Sequence, residues 1–123
     1  RILDRYLTTA ELGWLVRESS VVLAPYQRFV GSSGVLTWAA AQRRPVIAQQ
    51  YGLVGALVRD YRLGLAVDTS DPARIADSIS DLADARRLHD VVGRARWDDF
   101  LAGRTSDEFA ARLLGEITER DGA

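Results

Sequence analysis

The chain has 123 residues, and its 16 basic side chains nearly cancel its 17 acidic ones. That length fits one domain with a real core, and the balanced charge leaves no field that would favour nucleic acid or an anionic membrane. There is no cysteine and a single histidine, His89, so disulfide frameworks, thiolate metal sites and histidine metal clusters are excluded.

No apolar run approaches the roughly 20 residues that span a bilayer, and the start RILDRYL lacks the apolar core of a signal peptide. The chain is therefore expected to be cytoplasmic. With no methionine in the chain, Arg1 is not an initiator, and residues 1–123 are read as a single domain cut from something longer.

Arg1–Leu7 reads as a short strand, and Thr8-Thr9-Ala10-Glu11 as a capping box. The helix that follows places Leu12, Leu15 and Val16 on one face, with Trp14 partly exposed. Val21–Ala24 is a continuous apolar run, as in a parallel strand covered on both faces. Pro25 closes it, and the long loop Tyr26–Gly34 leads into a small apolar helix, Val35–Gln42. Arg43 and Arg44 end that helix and read as a solvated turn.

Pro45–Ala48 is the next strand, with proline where a lost donor costs least, and Gln49–Gly52 is its outgoing loop. A helix Leu53–Tyr61, burying Leu53, Leu57 and Val58, and a strand Leu63–Val67 complete the alternation. Asp71-Pro72 starts another helix, with Ile75, Ala76, Ile79, Leu82 and Ala83 at a spacing of three and four. From Ala85 the chain reads as helix: Leu88, Val91, Val92 and Ala95 form a stripe that Trp97 and Phe100 extend to a break near Gly103. Thr105–Glu108 is a second capping box, opening a helix that buries Phe109, Leu113, Leu114 and Ile117. His89 lies in this helical tail, away from every loop.

Strand and helix alternate throughout, which predicts an α/β domain: a Rossmann-like parallel sheet with helices on both faces, followed by C-terminal helices. Ligands of such sheets bind outside the carboxyl ends of the strands, so Leu7–Thr9, Tyr26–Gly34 and Gln49–Gly52 are the candidate loops. The strongest stretch is Gly31-Ser32-Ser33-Gly34. Its glycines and hydroxyls precede a helix whose free N–H groups and positive dipole end suit a phosphate. The plainer alternative is that Ser32 or Ser33 caps the helix and the glycines make the turn. The dinucleotide fingerprint G-x-G-x-x-G is absent.

The run APYQRFVGSSGVLTWAAAQRRPVIAQQYGLVGALVRDYRLGLAVDTSDPARIADSI resembles the nucleotide-sugar-binding half of the group 1 retaining glycosyltransferases, which have the GT-B architecture. Gly52, Leu65–Val67 and Asp71-Pro72 fall in step with that family's glycine turn, "G-L-x-V" strand and aspartate-proline helix. The resemblance covers Arg1–Leu82 closely.

It implies a partial C-terminal domain that binds a nucleotide-diphosphate sugar as substrate, with no separate cofactor, for hexosyl transfer in carbohydrate biosynthesis. Gly31, Ser32, Ser33 and Gly34 would hold the diphosphate, Leu7 and Thr8 would lie near the base, and Gln50 and Gly52 near the sugar. The partner would be an acceptor domain of the parent chain, with no nucleic acid and no membrane span. This segment alone is expected to be inactive.

The family's usual acidic positions are here Val30, Trp38 and Ala56, none of which can accept a hydrogen bond from a sugar hydroxyl as a carboxylate does. These residues suit a second reading, a non-catalytic relative kept for assembly or regulation. Trp38 would pack in the core or stack on the ligand, with the core favoured because helix aromatics usually face the sheet. An epimerase of the same architecture and a receiver-type signalling domain are less well matched, since no dedicated acid or acidic metal cluster stands at the strand ends.

Overall fold

A computed structural model describes residues 8–24 and 34–102. The expected strand at Arg1–Leu7, the loop Tyr26–Ser33 and the helix after Thr105 lie outside the described residues. The order within them is α1 (Thr9–Glu18), β1 (Val22–Ala24), α2 (Gly34–Ala41), β2 (Val46–Gln49), α3 (Gly52–Tyr61), β3 (Gly64–Val67), α4 (Pro72–Ala83), α5 (Ala85–Arg94) and α6 (Trp97–Ala102).

The strands form one parallel sheet in the order β1-β2-β3. Val22 pairs with Val46, and Val46 with Gly64. Helices cover both faces, as the alternation predicts. Because side chains alternate along a strand, the even positions Ala24, Val46 and Ala48 join Leu36, Ala39 and Ala40 of α2 and Val54, Leu57 and Val58 of α3 in the larger core. Trp97 and Phe100 of α6 seal that face. The odd positions Ile47, Leu65 and Val67 meet Leu82 of α4 and Val91 of α5 on the other. Among the described residues, no helix is long and apolar enough to cross a membrane.

The helix ends follow from local chemistry. Thr8 caps α1 by accepting from the Glu11 N–H at 3.1 Å. Asp71 caps α4 through the Ala73 N–H at 3.0 Å, with Pro72 opening the helix, and Asp84 caps α5 through the Arg87 N–H at 2.9 Å. Asp71→Ala strands that N–H and removes a negative charge from the positive helix end. It is expected to cost about 1 kcal/mol, read as a lowered urea midpoint with an unchanged slope.

Three expectations need correction. β1 is not covered on both faces: α4 and α5 shield β2 and β3 but leave Leu23 49% exposed. Leu53 is exposed, and Val54, three and four residues before Leu57 and Val58, takes its place on the buried face. In α4 only Leu82 of the apolar spacing is fully buried; Ile75 is half-buried, and Ala76, Ile79 and Ala83 are exposed.

The largest departure is the break at Ala95–Arg96. Their backbone leaves the helix there, and the Arg96 N–H donates to the Tyr61 carbonyl at 2.8 Å. The Arg96 guanidinium lies 5.4 Å from the centre of the Tyr61 ring. Across this break the chain passes from one face of the sheet to the other. Val91 and Phe100, which share one stripe in sequence, therefore belong to different cores.

Candidate functional site

Two helices open at the carboxyl ends of adjacent strands. Each helix runs back against the strands: α2 ends beside Pro45, at the amino end of β2, so its first residue, Gly34, stands at the opposite, carboxyl edge. Gly34 is exposed, and a Cβ there would meet nothing within 4 Å. At the end of β2, Gly52 begins α3 with φ 70°, a conformation glycine adopts at no steric cost.

Tyr51, at the N-cap of α3, makes no side-chain hydrogen bond to the helix, and neither α2 nor α3 has an acid in its first turn. Unlike α3, the helices α1, α4 and α5 each close their first turn with a side-chain oxygen. The edge also draws the backbones together. A Cβ on Gly55 would stand 2.4 Å from the carbonyl carbon and oxygen of Gln50, so α3 approaches the end of β2 only because residue 55 has no side chain.

The sequence-predicted site residues divide accordingly. Gly34 and Gly52 begin neighbouring helices at this edge. Gln50 lies there too, but its side chain is exposed and its backbone is engaged: the N–H donates to the Val67 carbonyl at 2.9 Å, and the carbonyl accepts from Arg59. Thr8 is exposed, and its hydroxyl is already the cap of α1. Gly31, Ser32, Ser33 and Leu7 lie outside the described residues, as does Val30.

Of the positions where carboxylates were sought, Ala56 is half-buried within α3. Trp38 is half-buried, and the edge of its ring comes within 3.5 Å of the place a Cβ on Gly13 would occupy. It therefore packs between α2 and α1.

One residue at this edge stands apart. Gln49 is fully buried, and neither its Nε2 nor its Oε1 has a hydrogen-bond partner. An orphaned buried amide costs about 1–3 kcal/mol, so nothing in the packing favours it there. The apolar run ends at Ala48, whereas the structure carries the strand one residue further, to Gln49. The available signal was parity: continuing the strand by one residue places Gln49 on the face of Ile47, opposite Val67 in register.

The next loop is polar and closed on itself. Asp68 accepts from both the N–H and the hydroxyl of Ser70, which hold its carboxyl below the usual range, and Thr69 is buried. Among the described residues, no group of three or more His, Asp or Glu is placed to hold a metal.

A cleft of about 460 Å³ lies at the opposite, amino end of the strands, lined by Arg17, Arg43, Arg44, Pro45, Leu88 and Val92 among others. Its arginines are engaged in holding helix ends. The Arg44 guanidinium donates twice to the Arg17 carbonyl, at 2.6 and 3.1 Å, and Arg43 pairs with Asp98 at 3.4 Å. This agrees with reading them as a turn. His89 is exposed on α5.

No protein-family model, curated protein or solved structure matches this chain.

Proposed function

We propose that this chain is the donor-binding part of a glycosyltransferase that moves a hexosyl group from a nucleotide-diphosphate sugar to an acceptor. The observation that carries the reading is the pair of helix starts, Gly34 of α2 and Gly52 of α3, at one carboxyl edge. Both first turns lack an acid, and that of α3 lacks a side-chain cap. Backbone N–H groups at two positive helix ends suit a diphosphate, whose charges need donors that are already oriented.

In this reading Ser32, Ser33 and Gly34 hold the diphosphate as it departs, and Gln50 and Gly52 border the sugar. Leu7 and Thr8 stand near the base. The nucleotide sugar is substrate rather than cofactor. A separate acceptor domain supplies the remaining catalytic groups, and the work is cytoplasmic.

The test is calorimetric titration of the protein with UDP, GDP and their sugar conjugates, repeated with Ser33→Asp. Saturable binding of one nucleotide family is expected, with at least a tenfold loss on placing a like charge in the cradle. If no nucleotide binds the parent protein, the donor-site reading is wrong.

A second reading, a non-catalytic relative with a structural or regulatory role, is favoured by Trp38 and Ala56. Both are partly buried in helices where a sugar-binding acid was sought. It predicts nucleotide binding without transfer, or no binding at all.

A further inference from the structure

A buried side chain that satisfies none of its hydrogen bonds has a reason other than packing. Gln49 meets that description at the last position of the central strand, three residues before the start of α3 at Gly52. Its surroundings offer no rescue: Ile47 lies on the same face of its own strand, and Val67 is opposite it in register. Gln50 and Tyr51, which follow it, are exposed, so the carboxamide lies one step of chain from solvent.

We propose that the Gln49 carboxamide is the ligand-reading group of this edge, held unpaired for a pair of vicinal hydroxyls on the bound nucleotide sugar. This rests on the donor-site reading and adds to it a residue and a ligand chemistry. A carboxamide presents an acceptor and a donor side by side, and two adjacent hydroxyls return the complementary pair. Three rotatable side-chain bonds let the amide turn toward the carboxyl edge, and in turning it breaks no hydrogen bond, since it has none. A residue already bonded inside the fold would have to give up those bonds before it could bind. Gln49 starts without that penalty.

Vicinal hydroxyls occur on both the hexose and the ribose, and two ligands separate these sources. Gln49→Met keeps the length and flexibility of the side chain and removes both polar groups; Gln49→Leu provides a second apolar variant. Both are titrated with UDP-glucose and UDP beside the parent protein, and with the GDP pair if that is the family bound, and the thermal midpoint of each is measured.

The expected result is a midpoint equal to or above that of the parent, with affinity for the sugar nucleotide lowered at least tenfold. Loss for UDP-glucose alone assigns the hexose, and equal loss for both ligands assigns the ribose. Unchanged affinity in both variants overturns the proposal while leaving the donor site intact. A clear fall in the midpoint of both variants also overturns it, because the amide would then have a partner inside the fold. If the parent protein binds no nucleotide, the donor-site reading itself fails.

Discussion

Gly64→Ala is expected to prevent the sheet from forming. Gly64 is the first residue of β3, at φ 154°, and a Cβ there would stand 1.9 Å from the Val46 carbonyl oxygen, 2.5 Å from the Val46 nitrogen and 2.8 Å from its carbonyl carbon. None of these atoms is the end of a flexible side chain. All belong to the backbone of the central strand, fixed on one side by β1 and on the other by the Val46 N–H bond to Leu63, 2.9 Å long.

Relief requires separating β2 from β3, which removes the pairing that defines the domain. A loss above about 4 kcal/mol is expected, close to the whole stability of an ordinary small domain. Far-UV circular dichroism and a urea titration check it. A variant with native ellipticity and a midpoint near that of the parent would show that the sheet edge yields where the geometry says it cannot.

Phe100→Ala carries the next largest effect, about 3–5 kcal/mol. Phe100 is 1% exposed, and its ring meets that of Tyr61 edge to face, with centroids 5.5 Å apart and planes at 72°. The loss combines the area returned to water, the aromatic contact, and the cavity left beneath α6. Hydrogen exchange tells where the loss falls. Protection in α6 is expected to vanish first, with that of β2 declining only with global stability. Uniform loss across both elements would mean that α6 is an inseparable part of the sheet's core.

The parts of the fold that follow from local rules were legible in sequence. Asp71-Pro72 and Thr8–Glu11 start helices where capping chemistry places them, and the apolar run Val46-Ile47-Ala48 is the buried central strand. Where a residue's place depends on which layer a helix joins, periodicity was silent. Trp97 and Phe100 continue the stripe of Leu88 and Val91 by spacing alone, and only the turn at Arg96, stacked on Tyr61, sends them to the opposite face. Ile79 keeps its helical spacing but is 46% exposed, because spacing identifies a face without saying how far the sheet beneath it extends.

The candidate site was visible in sequence as an edge of the sheet rather than as a set of contacts. The glycine starts of α2 and α3 were visible, since phosphate-type loops and tight turns share their residue types. Gln49 was not, because nothing about a glutamine in sequence says whether its amide is bonded. The orphaned amide becomes visible only when the strand's last residue is counted as strand.

Strand order along the sheet repeats strand order along the chain. Among the described residues, each pairing therefore closes a short stretch of polypeptide holding a single helix, and no described strand waits for a partner made much later. On a ribosome, β1 and α2 would already be outside the exit tunnel when β2 arrives, and β2 when β3 arrives. Growth by addition at one side keeps loop-closure entropy low at every step. The break before α6 then makes that helix the last of the described pieces of the larger core to arrive. Until Trp97 and Phe100 emerge, the face they cover is open, and this is the interval in which a nascent chain is most exposed to chaperones and to its own neighbours.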